Sequence, residues 1–181
     1  LHRIQSTKAS KNEAFFILKQ MNLKLEKPII FFDLETTGLQ ISSDRIVEIS
    51  ILKIFPNGNK ESKTWLVNPT IPIPAESTEI HGITDEKVKN EPTFDDLAPI
   101  LQDLIHNCDL AGYNSNNFDI PLLAEEFLRS NINFDMSKRK AIDVQNIFHK
   151  MEKRTLVAAY KFYCNKDLTN AHSAEADTNA T

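Results

Sequence analysis

The stretch PIIFFDLETTGL, residues 28–39, constrains this chain more than any other. Its first seven residues are apolar except for Asp33, a run of strand length that suits a central strand covered on both faces. Asp33 and Glu35 stand two residues apart, just before a turn at TTG. Strand side chains alternate faces, so both acids project on the same side, at the strand's C-terminal end. In open α/β sheets that end is where ligands bind. Paired carboxylates raise each other's pKa unless a cation lies between them, and hard oxygen ligands suit Mg²⁺ or Mn²⁺. The pair alone is weak evidence, because a chain with 25 Asp and Glu yields about one D-x-E by chance.

The segments around this strand define the fold class. RIVEISILKIF (45–55) reads as a second strand, PNGN (56–59) as a turn, and KESKTWLV (60–67) as the third strand of an antiparallel meander. After a Pro-rich loop (68–78), TFDDLAPILQDLIHN (93–107) has helical spacing, with Pro99 near its first turn or at a kink. CDLAGYN (108–114) predicts a short strand, FDIPLLAEEFLRS (118–130) a helix, AIDV (141–144) a last strand, and helical segments follow to about residue 164. KNEAFFILKQMNL (11–23) predicts a helix in an N-terminal extension, 1–27, ahead of one domain spanning 28–181. The expected fold is α/β: a mixed five-stranded sheet, three antiparallel strands then parallel strands, flanked by helices, with no repeat and no second domain.

Composition excludes several function classes. With 181 residues, 41% of them hydrophobic, the chain has enough material for one soluble domain. Cys108 and Cys164 are its only cysteines, so no disulfide framework is expected and a reducing, cytoplasmic setting is the default. No apolar run approaches the roughly 18 residues that span a membrane, and LHRIQSTKAS lacks the regions of a secretory signal. A net charge of −4 argues against a broad coat on nucleic acid. The charge is uneven, however. Lys138, Arg139, Lys140, Lys150, Lys153, Arg154, Lys161 and Lys166 face only Asp143 and Glu152 within 138–166. They read either as solvated helix faces or as a positive approach to a carboxylate site.

Two further places carry chemistry. Asp119 follows GYNSNNF at a second strand-to-helix junction, where an Asp is also often simply a cap. AHSAEAD (171–177) supplies His172 and Asp177. On one continuous helix these would lie about 140° apart, so they converge only if His172 sits on the loop before the helix. A neutral His with a pKa near working pH is a competent general base, although a lone His is more often structural.

FDLETTGL, HGIT (81–84), NSNNFD (114–119) and AHSAEAD resemble, in order and spacing, the DEDD superfamily of 3′→5′ exonucleases. The final His-x4-Asp resembles its DEDDh branch, and HGITDEKV its epsilon-type, DnaQ-like proofreading members. The resemblance covers residues 28–181 and implies a ribonuclease H-like fold with two-metal phosphodiester hydrolysis. It implies that Asp33, Glu35, Asp119 and Asp177 hold two Mg²⁺ or Mn²⁺, and that His172 takes a proton from the attacking water. It also places Thr36, Thr37, Gly38 and Leu39 against the terminal nucleotide, with Leu39 as a wedge, and His81, Asn114 and Phe118 near the substrate. The implied substrate is a single-stranded DNA 3′ end, with a DNA polymerase as a further partner. An exoribonuclease of the same chemistry and a catalytically silent polymerase-docking module are the alternatives. The family continues with a helix beyond its last Asp, whereas this chain stops four residues after Asp177, so that helix is expected to be incomplete.

Overall fold

Alternation along β1 (Ile29–Thr36) organises the molecule. Ile30, Phe32 and Leu34 face the main core, where they meet Ile46, Ile49, Leu101, Leu110, Leu122 and Phe127. Ile29 and Phe31 face a smaller cluster with Ile54 and Ala111. The strand is thus apolar on both faces, as its continuous run requires. The structure, a computed structural model, describes residues 24–151, 155–167 and 178. The helix expected over 11–23 lies outside the described residues.

β2 (Ile46–Ile54) pairs antiparallel with β1, and β3 (Lys60–Leu66) antiparallel with β2. The PNGN turn joins them, with the Phe55 N–H donating to the Asn59 carbonyl at 2.9 Å and Gly58 at a φ of 86°. β4 (Asp109–Gly112) pairs parallel with β1, and β5 (Ala141–Asp143) parallel with β4. The order β3-β2-β1-β4-β5 is the mixed five-stranded sheet expected from the sequence. β1 lies at its centre, where a strand needs cover on both sides.

Among the described residues of the first 144, four helices accompany the sheet: α1 (Ala75–His81), α2 (Asp85–Val88), α3 (Phe94–Ile105) and α4 (Asp119–Arg129). α3 begins at a capping box in which Thr93 and Asp96 bond each other's backbone N–H, an arrangement that contributes about 1 kcal/mol. It buries Leu97, Ala98, Leu101 and Ile105 on one stripe. Pro99 is its sixth residue, in the second turn and not the first, so the Asp95 carbonyl loses its partner inside the helix. α4 buries Leu122, Leu123 and Phe127, and the Phe127 ring meets Phe94 edge-on at 5.3 Å. These contacts fix the start of α4, which matters for the site.

The fold divides at Val144 into two compact units. The second, from Gln145, contains most of α5 (Val144–Met151) and all of α6 (Leu156–Cys164). α6 starts at Thr155, whose side chain accepts from the Ala158 N–H. Among the described residues no helix is long and apolar enough to cross a membrane. Cys108 and Cys164 are free thiols.

Candidate active site

Following Ile29 and Phe31, the next two residues on the same face of β1 are Asp33 and Glu35, both half-buried. The apolar face thus turns acidic as it nears the strand's C-terminal end. The antiparallel register sets Asp33 opposite Ser50 and Glu35 opposite Glu48. Directly opposed residues share a face, so Glu48 adds a third carboxylate to this edge. The sequence reading missed it. Its signal was a Glu held between apolar neighbours in IVEIS, within a strand that otherwise buries what it can. Like charges opposed across strands are destabilising, and a cation between them would relieve that cost.

Asp119 is the first residue of α4 and is 2% exposed. It is delivered by the loop after β4. Gly112 ends that strand, and a Cβ there would lie 2.7 Å from the Ser115 Cβ and 3.2 Å from the Phe32 carbonyl. Asn114 takes a φ of 57°, a left-handed conformation that Asn tolerates. Its N–H donates to Asp143 Oδ1 at 2.9 Å, and the Asn116 N–H donates to Asp143 Oδ2 at 3.3 Å. Asp143 is 4% exposed and closes β5, so one buried carboxylate on the neighbouring strand shapes the loop. The Asn114 side chain accepts from Asn117, and the Phe118 ring belongs to the main core.

The TTG turn is as tightly built. Thr36 Oγ1 donates to the Gly38 carbonyl at 2.6 Å. Thr37 Oγ1 donates to Asp44 Oδ1 at 2.8 Å, and the Gln40 N–H donates to Asp44 Oδ2 at 2.7 Å. Gly38 backs onto that carboxylate so closely that a Cβ would lie 2.5 Å from Asp44 Oδ2. Leu39 is left 68% exposed. α1 is tied to this turn, because Ser77 Oγ donates to the Thr37 carbonyl at 2.7 Å. Ile80, also on α1, exposes 59% of its surface.

His81 ends α1, and HGIT is largely a helix stop. Gly82 takes a φ of 73° and its N–H donates to the Thr78 carbonyl, as left-handed C-caps do. His81 Nδ1 accepts the Ile83 N–H at 3.0 Å. The ring proton of the neutral imidazole therefore sits on Nε2, which is buried without a well-aligned partner. Burial pushes the His81 pKa down, the Thr36 backbone opposes that, and Lys87 lowers it further. A neutral donor is thus held beside the turn.

The sheet gathers Asp33 and Glu35 on β1 and brings Asp119 in on the element after the adjacent parallel strand. His172 and Asp177 lie outside the described residues. Among the described residues no group of three or more Asp, Glu, His or Cys side chains is placed to hold a metal ion. The hard oxygen donors on β1 nevertheless have the chemistry that Mg²⁺ or Mn²⁺ requires.

A family model described as exonuclease, RNase T, matches residues 30–181. The chain belongs to the RNase T exonuclease family. The family expected from the ordered motifs is therefore borne out. Relatives of this exonuclease domain include the epsilon subunit of DNA polymerase III of Buchnera aphidicola, 30% identical over 78% of this chain and 59% of that protein. The PolC-type DNA polymerase III of Clostridium perfringens is 25% identical over 84% of this chain and 10% of the polymerase. The chain thus spans only a small part of the PolC-type relatives and somewhat over half of the epsilon subunit. E. coli exonuclease I in complex with a 5cy-dA13 oligonucleotide has the same fold, with a TM-score of 0.63 over 69% of this chain and 30% of that one, at 18% identity. The ribonuclease H-like architecture expected from the motifs is the one observed.

Within the exonuclease domain the basic cluster separates. Arg139 donates to the Asp135 and Ile105 carbonyls and lies over the Phe134 ring at 5.3 Å, so its guanidinium is held against the domain. Lys138 and Lys140 are exposed, Lys150, Lys161 and Lys166 belong to the second unit, and Lys153 and Arg154 lie outside the described residues.

Proposed function

We propose that this domain removes nucleotides from the 3′ ends of single-stranded DNA by metal-dependent phosphodiester hydrolysis. The observation that supports the reading is the placement of acids at the ends of two neighbouring parallel strands. Asp33 and Glu35 share one face at the C-terminal end of the central strand, and Asp119 opens the helix after its parallel neighbour. Asp33, Glu35, Asp119 and Asp177 would hold two Mg²⁺ or Mn²⁺. When bound, such a pair supplies positive charge for the attacking and leaving oxygens of an in-line displacement. His172 accepts the proton of the attacking water. The TTGL turn receives the 3′-terminal nucleotide, with Leu39 against its base and the His81 Nε2–H as a neutral donor beside the turn.

Two of the comparisons support DNA as the substrate. The named relatives are subunits or types of DNA polymerase III, and exonuclease I is described bound to a deoxyoligonucleotide. The same names support work beside a DNA polymerase. The test is an assay on 3′- and 5′-labelled DNA and RNA strands with Mg²⁺ or Mn²⁺, run beside Asp33→Ala. Loss of label from the 3′ end of DNA, abolished on the order of 10³-fold by Asp33→Ala, is expected. Activity that survives the substitution, or release from the 5′ end, would sink the mechanism. Preference for RNA would move the substrate to the exoribonuclease alternative, with the same chemistry.

A further inference from the structure

The loop between β1 and β2, residues 37–45, carries the exposed Leu39, yet it is fastened from a distance. Its base closes through the Thr37 N–H on the Arg45 carbonyl and the Arg45 N–H on Thr37 Oγ1. Next to that base, Arg45 Nε bonds both oxygens of Glu126, at 2.9 and 3.1 Å, and the Ile46 N–H donates to Glu126 Oε1 at 3.1 Å. Glu126 is 1% exposed, so this charge is buried and needs its partners. One turn later on α4, Arg129 forks onto two carbonyls of the loop. Its Nη1 donates to the Asp44 carbonyl at 2.9 Å and its Nη2 to the Ile41 carbonyl at 3.0 Å. The same Nη1 lies 3.6 Å from Glu126 Oε1.

Both anchors stand on the helix that begins at Asp119. We propose that Arg129, together with the Glu126–Arg45 pair, is a positioning device that registers the Leu39 loop to Asp119. One rigid helix then sets the distance between the lip that receives the terminal nucleotide and an acid of the reacting centre. A lysine cannot replace the fork, because one ammonium does not span two carbonyls in a fixed plane. Arg129 touches neither substrate nor reacting atoms, so its effect passes through the loop. The inference rests on the exonuclease reading above.

The test compares the whole chain with Arg129→Met and Arg129→Lys, reading hydrogen exchange at the 38–44 amides and steady-state kinetics on a 3′-labelled single-stranded DNA. Both variants keep the Arg45–Glu126 pair, and a melting curve checks that each folds. Expected are faster exchange in the loop and a KM raised about five- to tenfold, with kcat lowered less than about threefold. Lysine is expected to restore little of this, and it also carries the test should Arg129→Met fail to fold. An active wild type with unchanged KM in the folded variants overturns the inference, as does a fall in kcat alone. Full restoration by lysine overturns the two-carbonyl fork. A wild type that degrades neither DNA nor RNA overturns the exonuclease reading itself, and the positioning role with it, a result visible without any variant.

Discussion

The two loops that leave the C-terminal ends of the neighbouring parallel strands β1 and β4 are built in opposite senses. In the first, the acids come before the loop: Asp33 and Glu35 are strand residues, fixed by the ladder with β2. In the second, the acid comes after it: Asp119 is placed only once Gly112 to Phe118 have taken their path. The first loop is held by side chains from α4, and the second by Asp143 on the neighbouring strand. An error in the first loop therefore moves the lip and spares the strand acids. An error in the second moves an acid.

Alanine at the two glycines breaks this contrast most sharply. Gly112→Ala drives a Cβ into the Ser115 side chain and toward the Phe32 backbone, neither of which can swing aside. A cost of about 1–3 kcal/mol in urea unfolding is expected, with kcat reduced because Asp119 shifts. Gly38→Ala meets the Asp44 carboxylate first, which can turn at the expense of its bonds to Thr37 and Gln40. About 1 kcal/mol and a rise in KM are expected there. Equal kinetic signatures from the two variants would erase the distinction between the loops.

A smaller perturbation sharpens the same point. Asp143→Asn keeps the shape of the side chain and one good acceptor, but presents an amide N–H₂ to one of the two backbone donors. One of the bonds from Asn114 and Asn116 is then lost. The expected cost is about 1–2 kcal/mol, with kcat falling more than KM changes. Loss of stability with unaltered kcat would mean that Asp119 is held independently of its loop.

How much of this was legible follows from which interactions are local. The strands and α4 were readable because alternation and helical spacing are properties of contiguous residues, and Asp33, Glu35 and Asp119 came with them. Glu48 was not singled out, because its position opposite Glu35 depends on the register between two strands, which runs unbroken from Ile29–Ile54 to Glu35–Glu48 and shifts only beyond Glu35. Glu126 and Arg129 were not singled out, since nothing near them in sequence announces a partner some 80 residues away. Asp143 likewise sat in a three-residue strand whose acid could have faced water. HGIT was read for its histidine, whereas its glycine is what ends the helix and turns that ring inward.

The shallowest effect concerns that ring. Burial lowers the His81 pKa from about 6.5, so the folded chain keeps it neutral where the unfolded chain begins to take up a proton. The unfolded state binds more protons across that interval, and stability therefore rises with pH there. His81 contributes fully above about pH 6.5, and its contribution falls as pH drops toward the lowered folded value. The geometry at Nδ1 acts in the same direction as burial, because Nδ1 accepts from Ile83 and cannot also carry a proton without opposing that N–H. His81→Asn supplies an oxygen acceptor near the same place and does not titrate. Urea midpoints for the two proteins, followed downward from pH 7.5, should run parallel at first and then diverge, the wild type losing stability faster below about pH 6.5. Parallel curves throughout would show that the imidazole is not held neutral, and the idea of a fixed Nε2–H donor beside the TTG turn would go with it.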